Sequence, residues 1–166
     1  MKRIRLVALL AALLLLALVI PALAHEGRTV GAYAIELGWR VEPAYTGIFN
    51  GPELFVNEAA SDEATAEATP EMSADGDEEE AVGAPVEGLE DTLTLEVSFG
   101  GKTKTLKLYP VWNDPGHYTA DLIPTQPGDY SFHVTGKIGD MDIDETFTSA
   151  DGKFGSVDPI SDIQFP

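Results

Sequence analysis

The sequence predicts an all-β fold, an immunoglobulin-like β-sandwich of about seven short strands. Apolar and polar residues alternate with a period of two in several segments, most cleanly at 92–99. Such alternation is typical of a strand with one buried face. Glycine, proline and asparagine separate these segments, and short strands divided by turn residues favour a sandwich over other all-β folds.

Each strand is predicted from its own alternation and its flanking turns. Gly100-Gly101 predicts a two-residue hairpin turn between two of them. On the return strand we expect Lys102, Lys104 and Lys107 mostly outward and the leucines between them inward. We expect Tyr130, after a Pro-Gly turn, to form a tyrosine corner, and the tail 149–166 to pack on the sandwich. The predicted strands are 30–39, 53–57, 92–99, 102–109, 118–123, 130–138 and 140–148.

The N-terminal residues predict a cleavable signal peptide, 1–24, which leaves one domain at 25–166. Three basic residues precede an apolar run at 6–20, and Ala22-Leu23-Ala24 supplies the small residues that signal peptidase requires. The run of about 15 residues is shorter than the roughly 20 that span a bilayer. We therefore expect an exported protein, periplasmic, cell-surface or secreted, that is not membrane-embedded after processing.

The charge of the chain excludes several classes of partner. Removal of residues 1–24 takes away three of the ten basic residues and none of the 28 acidic ones, so the formal charge becomes −21. Nucleic acid and anionic membranes are poor partners for such a protein. The absence of cysteine excludes disulfides, thiolate metal sites and cysteine nucleophiles. The stretch 57–82 holds ten acidic residues and no basic one, which predicts a disordered acidic loop within the domain.

Two motifs carry a resemblance to known proteins. The entry Gly83-Ala84-Pro85-Val86-Glu87-Gly88 precedes an alternating strand, and Pro115-Gly116-His117-Tyr118 is echoed twelve residues later by Pro127-Gly128-Asp129-Tyr130. Over residues 30–148 the chain resembles the YtkA/FixH-like and CopC-like exported β-sandwich proteins. The resemblance implies an exported immunoglobulin-like module, in a group of which several members are associated with copper handling.

A copper site is predicted around His25, which cleavage would make the N-terminal residue. Its α-amine and imidazole would form a chelating pair, and nitrogen donors of this kind suit Cu(II). The resemblance implies a further histidine and an aspartate, as in CopC-like sites. The remaining histidines are His117 and His133, of which we favour His133. Strand alternation places it beside the outward-facing Asp142 or Asp144 if the last two strands form a hairpin.

The predicted function is therefore that of a non-catalytic binding module that binds or carries Cu(II) and passes it to a membrane-bound copper-handling or envelope partner. Two alternatives remain. One is a metal-free immunoglobulin-like interaction domain or an accessory subunit of a membrane or envelope complex. The other is a copper monooxygenase acting on polysaccharides, since such enzymes also use an N-terminal histidine on a similar sandwich. No Ser-His-Asp set with sensible spacing supports a hydrolase.

Overall fold

The computed structural model describes residues 24–60 and 83–166. The predicted signal peptide, up to residue 23, and the predicted acidic loop, from residue 61, lie outside the described residues. Residues 57 and 58, which the loop prediction included, belong to a strand. In the part of the chain that is described, no helix combines the length and the apolarity that crossing a bilayer requires.

The described residues form two antiparallel sheets, which confirms the predicted all-β sandwich. Only short 3-10 turns, at Leu89–Asp91, Ser149–Asp151 and Ile160–Asp162, interrupt the strands and loops there. The larger sheet contains, in spatial order, β1 (His25–Val30), β2 (Tyr33–Trp39), β3 (Pro52–Glu58), β7 (His117–Thr119) and β6 (Tyr109–Pro110). The smaller sheet contains β5 (Lys102–Leu106), β4 (Leu93–Phe99), β8 (Ser131–Ile138) and β9 (Met141–Thr148).

Two predicted strands are divided in the structure. The segment predicted as one strand at 30–39 is the end of β1, a turn and then β2. The predicted return strand 102–109 ends at Leu106, and its last residue, Tyr109, begins β6 in the other sheet. The chain therefore crosses between the sheets near Leu108, which is buried between them.

The predicted outward direction is wrong for Lys102 and Lys104. They pair with Phe99 and Val97 of β4, and directly paired residues project from the same face of a sheet. That face also carries the buried Leu106, so the two lysines lie on the inner face of the smaller sheet. They remain exposed because β5 is an edge strand.

The core lies between the sheets and is closed by the C-terminal tail. Trp39 packs edge-on against Tyr130 and Phe132, with ring centroids 5.6 and 5.1 Å apart. Its indole N–H donates to the carbonyl of Gly155 at 2.9 Å. Phe154 of the tail is buried, so the prediction that the tail packs on the sandwich is confirmed for its first half.

Two further polar side chains, those of Tyr130 and Arg28, shape the sandwich. The Tyr130 hydroxyl donates to the carbonyl of Gln126 at 3.0 Å, which confirms the tyrosine corner. At the opposite edge, Arg28 of β1 donates to Glu26 at 2.6 Å and to Glu145 of β9 at 2.9 Å. The guanidinium also lies 4.5 Å from the ring centroid of Phe147. This cluster links an edge strand of one sheet to an edge strand of the other.

Candidate functional site

A row of polar side chains crosses the outer face of the larger sheet. His25 of β1 pairs with Gly38 of β2, and Gly38 pairs with Glu53 of β3. The adjacent row joins Phe55 of β3 to His117 of β7. Neighbouring rows point inward and are buried, so these side chains share the outer face. We call His25, Glu53, Phe55 and His117, with Asp114 in the preceding turn, the outer-face cluster.

Glu53 lies between the two imidazoles of the cluster. One carboxylate oxygen, Oε1, is 2.7 Å from Nε2 of His25, a hydrogen bond. The other, Oε2, is 3.2 Å from Nε2 of His117. This second contact lies at ion-pair distance but lacks hydrogen-bond geometry, since Nε2 of His117 is buried without a hydrogen-bond partner among the described residues. Glu53 therefore forms a hydrogen bond with His25 but not with His117.

The orphaned nitrogen of His117 has a physical cause in the turn before β7. Nδ1 of His117 is 2.7 Å from a carboxylate oxygen of Asp114. A carboxylate accepts hydrogen bonds, so this contact favours the tautomer with the proton on Nδ1. Nε2 then carries an unsatisfied lone pair beside the carboxylate of Glu53, and both groups are acceptors. A proton or a metal ion between them would satisfy both.

Packing fixes the orientation of the two rings. Phe55 stacks on His117 with a centroid distance of 4.1 Å and an interplanar angle of 25°. The same phenyl ring meets His25 edge-on at 5.9 Å. The side chains of His25, Glu53 and His117 are 20%, 14% and 13% exposed, so bulk water is mostly excluded from the cluster. Low exposure strengthens electrostatic interactions within the cluster.

The remaining predicted ligands lie on the other sheet. His133 of β8 is 2.6 Å from Asp144 of β9, which confirms the predicted neighbour. Asp142 instead pairs with Lys137. The flanking Phe132 and Val134 face the core, so His133 projects from the outer face of the smaller sheet. The structure therefore brings His117 to His25 and does not bring His133 there.

Glu53, at the centre of the cluster, was missed by the sequence reasoning, as were Phe55 and Asp114. Glu53 stands on β3 beside Leu54, in a strand whose apolar residues were predicted correctly. The alternation shows that Glu53 faces outward, but acidic residues are common in this chain. Only the register of β1, β2 and β3 places it next to His25.

Side chains alone do not form a preformed metal site in the ranges 24–60 and 83–166. No group of three or more histidine, aspartate or glutamate side chains there is arranged to hold an ion. In this chain the nitrogen of His25 is an amide joined to Ala24. The backbone nitrogen of His25 could bind a metal ion in addition to the side chains only as a free amine.

Comparison with known proteins does not show a family for this chain. No protein-family model matches the sequence, and no curated protein matches it significantly. Among solved structures, the chain is similar to a DUF4426 family protein from Pseudomonas aeruginosa, with 13% sequence identity and a TM-score of 0.49. The alignment covers 75% of this chain and 92% of that one. A likeness this distant carries no argument about function, and a relation to YtkA/FixH-like or CopC-like proteins is not shown.

Proposed function

We propose that this chain is an exported, non-catalytic binding module that holds one Cu(II) ion at the outer-face cluster, with His25 as its N-terminal residue. The observation that carries the proposal is the buried Nε2 of His117, which lies 3.2 Å from Oε2 of Glu53 and has no hydrogen-bond partner among the described residues. A cation would satisfy both atoms. The sequence resemblance to the exported copper-handling group supports the choice of copper.

The donor chemistry fits Cu(II) once the α-amine is free. His25 then offers its amine and Nδ1, His117 offers Nε2, and Glu53 offers a carboxylate oxygen. Because Nε2 of His25 faces Glu53 in the metal-free structure and Nδ1 lies 3.7 Å from Glu36, binding requires the His25 ring to turn so that Nδ1 faces the cluster. Two or three nitrogen donors with an oxygen suit Cu(II) better than a set of carboxylates would. Asp114 would act on Nδ1 of His117, as carboxylates commonly do for metal-bound histidines, by fixing the tautomer and the ring orientation.

A free amine would supply a further donor to the described side chains, which by themselves form no three-ligand group. Cleavage after Ala24 would break the peptide bond that makes the nitrogen of His25 an amide, and His25 would become the first residue of β1 with a free amine. The proposal therefore includes export and removal of residues 1–24, and a membrane-bound copper-handling or envelope protein as the recipient of the ion. Intact-mass measurement of exported protein tests the cleavage position.

Isothermal titration with Cu(II) tests the site itself. We expect protein that begins at His25 to bind one ion at least about tenfold more tightly than protein that retains Ala24. His117→Ala should lower the affinity of the processed form, whereas the matched variant His133→Ala should leave it unchanged. Equal affinities for the processed and the extended forms would refute the N-terminal chelate. Equal losses in the two histidine variants would refute the outer-face cluster as the site.

One observation favours a metal-free interaction domain as the second candidate. The side chain of Trp112, in the loop between β6 and β7, is 94% exposed, and Tyr109 nearby is also exposed. Tryptophan and tyrosine are enriched among residues that dominate protein interfaces. This candidate predicts no specific Cu(II) binding in either form of the protein, and a loss of partner binding in Trp112→Ala.

A further inference from the structure

A concave feature lies at the β5 edge of the smaller sheet, opposite the β9 edge that Arg28 contacts. It is a cleft of about 590 Å³ between the edge strand β5 and the segment 122–126. Val97 and Tyr130, both buried, form part of its lining, and Phe99 stacks on Tyr130 with centroids 4.6 Å apart. Ile123 lines the opposite wall and is half exposed. The interior of the cleft is therefore largely apolar.

The rim of this cleft carries two lysines. Lys102 and Lys104 belong to its lining and project from the inner face of β5. Neither has a carboxylate oxygen within ion-pair distance among the residues that the structure describes, while the arginines and Lys137 do. Acidic residues outnumber basic ones 28 to ten in the chain. Lys107 and Lys153 also lack a carboxylate partner among the described residues. Lys102 and Lys104 differ from them because the two lie together at one apolar opening.

The position of the lysines also explains why the cleft exists. In a sandwich, inner-face residues of both sheets normally fill the space between them. Here β5 presents lysines where apolar side chains would close the core. Their Cα atoms lie about 6.6–6.8 Å apart, since residues two apart on a strand repeat at that spacing. Flexible side chains at this separation can reach one shared anionic group.

We propose that this cleft binds an amphipathic carboxylate, with its apolar chain between β5 and the segment 122–126 and its carboxylate between Lys102 and Lys104. The volume falls within the range typical of small-molecule sites, about 300–1,000 Å³. Burial of the chain against Val97 and Phe99 supplies the affinity, and the lysines select the charge of the headgroup. The proposal rests on different residues from the copper site and does not depend on it.

Inward-facing lysines on an edge strand also have a purely structural role, because they prevent association with another strand. That role and ligand binding make different predictions. A lysine that only protects the edge has no effect on which amphiphile binds in the cleft. A lysine that contacts a carboxylate makes binding depend on the headgroup charge.

The test compares two amphiphiles with the same chain and opposite charge. Metal-free protein beginning at His25 is titrated calorimetrically with dodecanoate and with dodecyltrimethylammonium, both below their micelle concentrations. We expect dodecanoate to bind one to one and at least about tenfold more tightly than the cation. The net charge of the protein would favour the cation without a local site, so this preference is diagnostic. Equal binding of the two amphiphiles, or tighter binding of the cation, would overturn the proposal, and this comparison needs only the unsubstituted protein.

A double substitution then assigns the preference to the lysines. Lys102→Gln with Lys104→Gln should abolish the preference for dodecanoate, and circular dichroism checks that the fold persists. The matched control is Lys137→Gln with Lys153→Gln, which changes the net charge equally at positions outside the cleft lining. We expect the control to keep the preference. Retention of the preference by the Lys102 and Lys104 variant would contradict the assignment.

Discussion

The imidazole of His25 lies directly on Gly38. A Cβ atom built on residue 38 would clash with the backbone oxygen of Ala24, which the proposed cleavage removes, and would come within 2.5 Å of Cδ2 and 2.9 Å of Cγ of His25. His25 stands on β1 and Glu53 on β3, with β2 between them, a separation of about 10 Å at the usual strand spacing. The ring reaches Glu53 because Gly38 leaves space above β2.

Gly38→Ala should therefore displace His25 from Glu53. On processed protein we expect the Cu(II) affinity to fall by about tenfold or more, since the ring can no longer take its position in the cluster. The matched control is Gly27→Ala on β1, because a Cβ there would meet nothing within 4 Å. Calorimetric titration of both variants measures the difference. Similar affinities in the two variants would show that contact between His25 and Glu53 is irrelevant to binding.

Alternation predicted much of the fold because most strands bury one face. The strand predicted at 92–99 is β4, Leu93–Phe99, and Leu93, Leu95 and Val97 are buried as expected. The strand predicted at 130–138 corresponds to β8 and carries its buried residues at the expected positions. In these strands each inward side chain is apolar, so hydropathy reports the face directly.

The same reasoning failed where charged residues face inward. Strand β1 was largely missed because Glu26 and Arg28 occupy its inner positions and satisfy each other there. For the site, alternation correctly placed His133 beside Asp144. Alternation gives the face of a strand but not the sheet to which the strand belongs. Because β1 and β8 lie in different sheets, only the sheet topology shows that His117, and not the favoured His133, lies near His25.

Leu95→Ala should be strongly destabilising. Leu95 is 1% exposed at the centre of β4, and its truncation should lower the free energy of unfolding by about 2–5 kcal/mol through lost burial and a residual cavity. Thr94→Ala, on the exposed face of the same strand, should change it by less than about 0.5 kcal/mol. Chemical denaturation measures both values. Equal costs would mean that the inner and outer faces of β4 are wrongly assigned.

Arg28→Met should destabilise the fold mainly through Glu26. Glu26 is buried on the inner face and donors on Arg28 satisfy one of its oxygens. Removal of the guanidinium leaves a buried carboxylate without its partner, which should cost about 2–3 kcal/mol, below the range for fully buried pairs because Arg28 is partly exposed. In a Glu26→Gln background the same substitution should cost less. Denaturation of the four proteins of this cycle gives the coupling, and additive costs would contradict it.

The hydroxyl of Tyr118 is held inside the sandwich by two backbone groups. It donates to the carbonyl of Val86 at 2.7 Å and accepts from the N–H of Leu89 at 3.2 Å. Burial raises the pKa of Tyr118 above its ordinary value of 10.0, and the negative charges of Glu90 and Glu87 raise it further against the opposing effect of the Leu89 hydrogen bond. The folded state thus holds the phenolic proton more tightly than the unfolded state does.

This shift predicts a particular alkaline behaviour. A raised pKa in the folded state contributes stability that is complete below the unfolded pKa and is lost as the pH rises through the folded one. At about pH 8, Tyr118→Phe should be less stable than the parent protein by about 1–2 kcal/mol, because two hydrogen bonds are lost. Above pH 10 the parent should lose stability faster than the variant, since only the parent must release the buried phenolic proton. The gap between the two proteins, measured by chemical denaturation across this range, should therefore narrow as the pH rises, and a gap that widens would show that the folded state does not favour the protonated phenol.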